Sequence, residues 1–439
     1  MTGLDRSLTP KTRPMTQKRT AMVASLDVGS SKIACMIARL KPTAPSEALR
    51  GRSHAVELIG YSQIQSRGVK AGAVVDLAEC EKAVRHAVAL AERMAKVRVE
   101  SVLLSVSGGR LHGQLIEAAA DIHGGSVTPD DVSRVTSAGM RHATGEGRTV
   151  LHALPIGYAL DGVKGIRDPR GMVARQFGVD MNVVTSDATV AKNLMLVVER
   201  CHLNIEAVAA SPYVAGLSVL TDDEADIGAA VVEMGAGSTT IATYSGGRFV
   251  HASGFALGGL HITMDLARGL GACIADAERI KTLYGTVLTG GSDARELMSV
   301  PSAGDDRETP QIVSRATIAN IVRHRAEEVF EMVRDRLADS PFAAEPRARV
   351  VLSGGASQLT GTIELATRVL NRPVRIGRPL GFGRLPSEAK GASFAVPTGL
   401  LVYPQYAHLE HVEPRRTRQL RTGTDGYLGK VGRWLREGF

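Results

Sequence analysis

The chain has 439 residues, which is too long for one small hydrophobic core and predicts two or more domains. Its 44% hydrophobic and 22% charged residues are typical of a globular protein, and its four cysteines are far apart without a CxxC pair. This excludes a disulfide framework and favours free thiols in a reducing compartment. No apolar run reaches the roughly 18 residues of a membrane-spanning helix, and the first twenty residues lack a secretory signal, so a cytoplasmic location is expected.

The net charge of +8 is concentrated at the two ends of the chain. Residues 1–20 carry five basic side chains and one acidic one, and residues 415–439 carry seven basic and two acidic ones. The ends therefore contribute +4 and +5, which leaves the body of the chain at −1. A nearly neutral body argues against a nucleic-acid partner, whereas basic ends suit an acidic surface such as an anionic membrane.

The first part of the chain alternates predicted strands and helices after a polar tail. Residues 1–20 are rich in threonine, proline and basic residues, and we expect them to be a disordered basic tail. Apolar runs predict strands at 22–26 and 102–106, and apolar residues at helical spacing predict a helix at about 79–96. Thr128, followed by proline and two aspartates, indicates the start of a further helix.

The same alternation continues to the end of the body. A strand is predicted before Pro155, and a helix at about 187–199 begins with a capping aspartate. A strand at 229–234 opens the second half, and apolar residues at helical spacing across 318–337 predict a long amphipathic helix. Residues 291–313 have the composition of an exposed loop. Alternating strands and helices predict the α/β class.

An internal repeat is the strongest signal in the sequence. Residues 22–34 and 229–241 each contain an apolar strand, an acid (Asp27 and Glu233), a tight turn of glycine and hydroxyl residues, and another strand. Such a turn presents backbone N–H groups to an anion, and the acid can hold water molecules of a magnesium ion. One Gly-rich turn is usually only a hairpin, but two copies 206 positions apart predict a pair of loops that grip the phosphates of ATP.

A third element accompanies the two loops. Residues 350–357 read as a buried strand that ends in a Gly-Gly turn before a helix. Bare backbone at such a turn allows a flat adenosine to lie against it.

These three elements, in this order, resemble the actin, Hsp70 and sugar-kinase superfamily, in which ATP lies between two duplicated domains. Within it, the chain is most similar to the FtsA family of bacterial cell-division proteins from about residue 21 onward. The matching stretches are LDVGSSKI, LTDDEADIGAAVVEMGAGSTT, VLSGGASQLTG, RIGRPL and the closing GRWLREGF. The resemblance implies an α/β, actin-like two-domain fold with duplicated βββαβα cores, an inserted subdomain called 1C and a C-terminal amphipathic helix.

The resemblance also assigns a site for ATP and Mg²⁺. The residues that would form the first and second phosphate loops and border the adenosine are, in chain order, Asp27, Gly29, Ser30, Ser31, Lys32, Gly235, Gly237, Ser238, Thr239, Gly354, Gly355 and Ser357. Asp27 and Glu233 would hold magnesium through water. Glu278 and Lys281 match a helix that contacts the ribose and base in the family, although one helical turn also suits a solvated salt bridge.

The second loop departs from the family pattern at two positions. Glu233 replaces the usual aspartate, and Ala236, which tolerates positive φ less well than glycine, stands in the middle of the loop. Both changes affect the magnesium geometry more than nucleotide binding, and phosphoryl transfer depends on that geometry. We therefore expect ATP binding with slow or absent hydrolysis, and we assign no catalytic residue.

The resemblance divides the chain into subdomains. The expected parts are the tail 1–20, subdomain 1A at 21–98 and 184–222, 1C at 99–183, 2A at 223–277 and 336–403, 2B at 278–335, a linker at 404–426 and a membrane helix at 427–439. Subdomain 1C would contact other protomers and other division proteins. Subdomain 2B would bind the acidic C-terminal tail of FtsZ, with Arg315 and Arg325 as candidate contacts, although spaced arginines on a helix are more often a solvated face.

Four histidines in the expected 1C segment have no acidic partner at metal-ligand spacing, and we expect them to be ordinary surface or core residues. They are His112, His123, His142 and His152.

The last thirteen residues form an amphipathic pattern. The apolar stripe at spacings of three and four consists of Tyr427, Leu428, Val431, Trp434, Leu435 and Phe439. The opposite side carries Lys430, Arg433 and Arg436. We expect this helix to lie in a membrane interface, the alternative being a helix packed on its own domain. One such anchor binds weakly, whereas linked protomers bind firmly.

The expected function is therefore an actin-like ATP-binding protein that polymerises and tethers the FtsZ ring to the cytoplasmic face of the inner membrane as a peripheral protein. Two alternatives remain at this point. A soluble metabolic kinase of the same superfamily would need a placed general base, and a PilM-like assembly ATPase would lack the basic linker and lipid helix.

Overall fold

The computed structural model describes residues 19–43, 49, 52–143, 145–288, 295–301, 311–345, 347–383 and 385–410. The strands in these ranges, in chain order, are β1 (Ala21–Val28), β2 (Lys32–Pro42), β3 (His54–Gln65), β4 (Val69–Lys70), β5 (Ala73–Val74), β6 (Ser101–Val106), β7 (His112–Asp121), β8 (Arg148–Leu160), β9 (Val163–Ile166), β10 (Gln176–Asp187), β11 (Asn204–Ala210), β12 (Ala229–Met234), β13 (Thr239–Ser245), β14 (Arg248–Phe255), β15 (Leu297–Val300), β16 (Gln311–Ser314), β17 (Arg349–Ser353) and β18 (Val374–Ile376). The helices are α1 (Leu77–Ala95), α2 (Pro129–Ala143), α3 (Ala188–Arg200), α4 (Ser211–Val219), α5 (Asp222–Ile227), α6 (Gly259–Gly269), α7 (Ile274–Tyr284), α8 (Arg315–Ala338), α9 (Thr362–Leu370) and α10 (Ala395–Val402).

Two sheets share one topology, which confirms the predicted duplication. The first sheet has the order β11-β6-β1-β2-β3, and the second contains the run β18-β17-β12-β13-β14. In the first sheet, β1 is antiparallel to β2 and parallel to β6. In the second, β12 is antiparallel to β13 and parallel to β17. The two repeats found in the sequence are therefore the β1–β2 and β12–β13 hairpins, at equivalent places in equivalent sheets.

An inserted unit extends the second sheet. Strands β7, β10, β8 and β9 continue beyond β14, and the junction is the single pair of Ser253 with His112. Helix α2 packs on these strands and closes a separate hydrophobic cluster around Phe177 and Met181. Strand β6 belongs to the first sheet, so the insert begins after it and not at the expected residue 99.

Several helix starts follow from local sequence. Thr128 and Asp131 cap α2 reciprocally, because the Asp131 amide donates to the Thr128 hydroxyl at 3.2 Å and the Thr128 amide donates to the Asp131 carboxylate at 3.0 Å. Asp187 caps α3 by accepting from two backbone amides, as predicted. Thr221 and Glu224 form a second capping box on α5. These caps satisfy amides that have no partner within the helix.

Two expectations about loops and strands were wrong in part. Residues 291–313 were expected to be a loop, but β15 and β16 pair antiparallel within and beside this segment. Pro155 does not follow a strand but lies inside β8, where a register shift opposite Asp180 and Met181 accommodates it. Such an irregularity tolerates a residue that has no backbone N–H to donate.

The end of the described chain is packed against the body. We expected a linker from residue 404, but Tyr403–Gln405 and Ala407–Leu409 form 3₁₀ turns, and Gln405 and Glu410 are buried. A linker can therefore begin only after Glu410. The predicted membrane helix at 427–439 lies outside the described residues, and none of the helices in the described ranges is both long and apolar enough to cross a bilayer.

Candidate nucleotide site

A cavity of about 1090 Å³ opens between the two duplicated sheets. Most of the residues predicted from the sequence line it. They are Asp27, Gly29, Ser30, Ser31, Lys32, Glu233, Gly235, Gly237, Ser238, Glu278, Lys281, Gly354 and Gly355. The structure thus brings together three sequence elements that are separated by more than a hundred residues each.

The two loops have the same turn geometry. The amide of Gly29 donates to the carbonyl of Lys32 at 3.0 Å, and the amide of Gly235 donates to the carbonyl of Ser238 at 2.9 Å. The loops also touch, since a Cβ on Gly237 would lie 2.5 Å from the Ser30 hydroxyl oxygen. Only glycine permits this close approach of the two halves.

Ala236 does not disturb the second loop. Alanine tolerates a positive φ less well than glycine, but the positive-φ residues found in the described chain do not include Ala236. This part of the loop therefore uses backbone conformations that alanine adopts without strain.

Two carboxylates and one ammonium meet at the floor of the cavity. Burial raises the pKa of Glu233 to about 8, and the nearby Asp27 carboxylate adds to the rise. Burial also raises the pKa of Asp27, although a 2.6 Å hydrogen bond from Ser105 opposes it. Burial lowers the pKa of Lys32, while the two carboxylates oppose that change. Groups whose pKa values are displaced in this way are typical of functional sites.

Lys32 is held by two residues from much later in the chain. Its Nζ donates to the carbonyl of Ser393 at 2.6 Å and lies 4.0 Å from the ring centroid of Phe394. A half-buried ammonium with these partners is a fixed positive charge beside the first Gly-rich turn.

The Gly-Gly turn after β17 forms another wall. Gly354 has a φ of +83°, and a Cβ there would lie 2.4 Å from the carbonyl oxygen of Met234. Gly355 faces open space, so its bare backbone is available to a flat ligand.

Two predicted hydroxyl residues do not line the cavity. The Thr239 hydroxyl is buried and donates to the carbonyl of Leu257 at 2.7 Å. The Ser357 hydroxyl is also buried and donates to the carbonyl of Gly354 at 2.8 Å. Both stabilise the backbone of the turns and do not face a ligand.

Glu278 and Lys281 have features of both roles considered from the sequence, a salt bridge and a wall of the nucleotide site. They form a salt bridge of 2.7 Å one helical turn apart, and both line the cavity. Lys281 Nζ also donates to the Thr263 hydroxyl at 2.9 Å and to the Gly259 carbonyl at 3.1 Å. The pair is therefore fixed against α6 and does not move freely in solvent.

Three residues that were not predicted from the sequence hydrogen-bond to residues of the site. Ser105 bonds Asp27, and the Thr240 hydroxyl donates to Glu233 at 3.2 Å. Gly259 lies at the start of α6, and its amide donates to the carbonyl of Gly235 at 2.9 Å. A serine near the end of an apolar strand and a Gly-Gly pair after β14 were the available signals.

The comparisons with known proteins agree with this geometry. The family profile described as "Cell division protein FtsA" matches residues 230–399, and the profile described as "SHS2 domain inserted in FTSA" matches residues 108–185. A relative named "Cell division protein FtsA" from Agrobacterium fabrum is 46% identical over 98% of this chain and 98% of its own length. The chain belongs to the FtsA family. Another member, from Escherichia coli K12, is 30% identical over 95% of this chain and 98% of its own.

Solved structures show the same fold at low identity. The PilM–PilN type IV pilus biogenesis complex has a TM-score of 0.60 and 16% identity, and it covers 87% of this chain and 98% of its own. MreB 5 of Spiroplasma citri bound to AMPPNP has a TM-score of 0.53 and 13% identity, covering 89% and 98%. The fold is therefore actin-like. Membership of the FtsA family decides against the metabolic kinase and the PilM-like protein.

In this FtsA-family chain, the two candidate partner arginines are ion-paired. Arg315 donates to Glu296 at 2.9 Å. Arg325 lies 2.5 Å from Asp265 and also pairs with Glu328. An acidic partner would have to compete with these carboxylates.

One of the four histidines expected to be surface or core residues, His152, lies in the core and has an acidic partner that is remote in sequence. His152 is fully buried on β8, and its Nδ1 lies 3.0 Å from a carboxylate oxygen of Glu410, 258 positions away. The pair could not be predicted from the sequence, because the two residues are far apart in the chain and share no local pattern.

The groups in the cavity fit a nucleotide with a divalent cation. Two turns offer backbone N–H groups and the hydroxyls of Ser30, Ser31 and Ser238 to phosphate oxygens, and Lys32 supplies positive charge. Asp27 and Glu233 are hard oxygen donors of the kind that magnesium binds directly or through water. The lining of the cavity therefore suits a nucleotide.

Proposed function

We propose that this chain binds ATP with Mg²⁺ between its two duplicated domains, polymerises, and tethers the FtsZ ring to the cytoplasmic face of the inner membrane while recruiting later division proteins. One observation carries the proposal: two equivalent Gly-rich turns meet at one cavity in a member of the FtsA family.

The binding role follows from what the residues of the cavity can do. The turns that begin at Gly29 and Gly235 line the cavity with groups that can donate to anionic oxygens, and Lys32 adds a positive charge beside them. Magnesium, when bound, would neutralise phosphate charge. Glu233 must lose a proton before it can hold a hydrated cation, because its pKa is about 8. Slow or absent hydrolysis is consistent with this requirement.

Surfaces away from the cavity would contact partners. The insert formed by β7–β10 and α2 presents an independent unit for contacts with other protomers and division proteins. The segment 278–335, which contains β15, β16 and most of α7 and α8, would receive the acidic tail of FtsZ. Arg315 and Arg325 remain candidate contacts there, after exchange of their present carboxylate partners.

The final thirteen residues would attach the protein to lipid. The apolar stripe with basic residues on the opposite side is the pattern of an interfacial helix, and the basic stretch before it suits an anionic leaflet. A single helix of this size binds weakly, so polymerisation would convert many weak anchors into firm attachment.

Vesicle co-sedimentation tests the proposal. The full chain and a chain that ends at Thr424 are spun with anionic and with neutral vesicles in the presence of Mg-ATP. A second variant, Trp434→Asp, keeps the length of the chain but breaks the apolar stripe. The full chain should pellet with anionic vesicles, and both variants should stay in the supernatant. Equal pelleting of all three chains would contradict the membrane role.

A further inference from the structure

The last described residue is fixed inside the protein by a fully buried, hydrogen-bonded pair of side chains. The side chains of Glu410 and His152 are both 0% exposed. His152 Nδ1 lies 3.1 and 3.0 Å from the two carboxylate oxygens, and His152 Nε2 accepts a hydrogen bond of 2.8 Å from the amide of Ala210. Because Nε2 accepts, Nδ1 carries the proton and donates to Glu410.

The pair lies where several parts of the fold meet. His152 belongs to β8 of the insert, and Ala210 ends β11 of the first sheet. Rings enclose the imidazole edge-on: Tyr213 of α4 at 4.9 Å and Tyr403 at 5.9 Å between centroids. The insert, the first domain and the end of the chain therefore share one buried contact.

A second contact fixes the same terminal stretch, residues 403–410, which we call the root. The side-chain oxygen of Gln405 accepts hydrogen bonds from the amides of Ser53 and His54 at 2.8 and 2.9 Å. Gln405 thus ties the root to the first domain, whereas Glu410 ties it to the insert. Glu410 is the member of the root nearest to residues 411–439. A force transmitted through those residues would therefore act on the Glu410–His152 contact before it acts on the Gln405 contact.

The chemistry of the pair gives it two distinct states. A buried carboxylate is stable only while it is hydrogen-bonded, since removing its donor leaves a buried acceptor without a partner. If Glu410 leaves for solvent, His152 loses the group that fixes its ring, and the bond to Ala210 loses its support. An apolar residue at position 410 would fill the same space without this dependence.

We propose that the Glu410–His152 pair is a latch that couples the root to the inserted unit, so that withdrawal of the C-terminal segment from the body frees β8 to move. The inference goes beyond the proposed function and does not depend on what residues 411–439 bind. It predicts reciprocity: a change at either member loosens the segment that carries the other.

Hydrogen exchange of the full chain, read by mass spectrometry, tests the latch. Glu410→Gln keeps the size and one acceptor but removes the charge, and His152→Leu removes the donor. Glu388→Gln is the matched control, because Glu388 is an exposed carboxylate in the same third of the chain. Near-ultraviolet circular dichroism first establishes that each variant is folded.

In Glu410→Gln, exchange of the β8 amides around His152 should rise roughly tenfold or more, and in His152→Leu exchange of the root should rise by a similar factor. The control should change neither segment by more than about twofold. Faster exchange confined to the root in Glu410→Gln, or an unchanged root in His152→Leu, would overturn the proposal.

If neither variant folds, the latch is tested on the parent chain. Native-state exchange at rising sub-denaturing urea measures the opening of the root and of β8 separately. The latch predicts that the root and β8 open together, with one free energy of opening that is lower than the free energy of global unfolding. Separate openings with different urea dependence would refute it.

Discussion

Replacing Glu233 with glutamine should change how the stability of the protein depends on pH. Burial raises the pKa of Glu233 to about 8 in the folded chain, compared with 4.5 for the ordinary group, and nearby Asp27 adds to the rise. Between these two values the folded state retains a proton that the unfolded state has released. The stabilising contribution of this group is therefore fully present below about pH 4.5 and is lost as the pH rises through about 8.

The size of the effect follows from the same pKa values. Stability falls by roughly 1.4 kcal/mol for each pH unit in this window, so the loss between pH 5 and pH 8 is on the order of 4 kcal/mol. Glutamine imitates the neutral carboxyl at every pH. Relative to the parent chain, Glu233→Gln should therefore gain on the order of 4 kcal/mol of unfolding free energy between pH 5 and pH 8.

Urea unfolding at pH 5 and pH 8, without nucleotide or metal, measures this gain. Glu331→Gln is the matched control, because Glu331 is exposed on α8 and undergoes the same chemical change. A difference between Glu233→Gln and the parent chain that stays the same at both pH values would refute the reasoning. It would mean that the Glu233 carboxyl is not held neutral by burial.

Three further substitutions test other parts of the structure. Lys32→Met should weaken ATP binding roughly ten- to hundredfold, because it removes a half-buried positive charge from the cavity wall; an unchanged Kd by calorimetry contradicts this. Burial tends to raise the pKa of Glu224, but bonds from Arg375 outweigh it and hold the pKa at about 2. The stability that Glu224 contributes is thus present above about pH 4.5 and is lost toward pH 2. In urea unfolding, Glu224→Gln should therefore cost about 1–3 kcal/mol of unfolding free energy at pH 7 and little at pH 2. An equal cost at both pH values contradicts this. Thr128→Ala should destabilise α2 by about 1 kcal/mol by removing the reciprocal cap with Asp131, and unchanged hydrogen exchange of α2 would contradict that.

Local patterns in the sequence predicted the parts of the fold that depend on neighbouring residues. The strand–acid–turn–strand repeat identified both hairpins, because short apolar runs and Gly-rich turns are patterns of a few neighbouring positions. The caps at Thr128 and Asp187 were predictable for the same reason. The shared topology of the two sheets then placed both loops at one cavity.

Contacts between distant elements could not be predicted in this way. Lys32 bonds the carbonyl of Ser393, 361 positions later, and His152 bonds Glu410, 258 positions later. No periodicity relates such partners, since the fold alone brings them together. The direction of a hydroxyl group could not be predicted from the sequence either. The Thr239 hydroxyl, for example, donates to the backbone carbonyl of Leu257 and does not face the cavity.

Calorimetric titration with Mg-ATP tests the central claim, that two touching loops grip one nucleotide. A Cβ on Gly237 would lie 2.5 Å from the Ser30 hydroxyl oxygen and 2.9 Å from the Ala71 backbone, so Gly237→Ala must push the loops apart. Gly124→Ala is the control, because nothing lies within 4 Å of that position. We predict one ATP per chain, bound roughly ten- to hundredfold more weakly by Gly237→Ala and normally by the control. Equal affinity in all three chains, or no binding by the parent chain, would contradict the account.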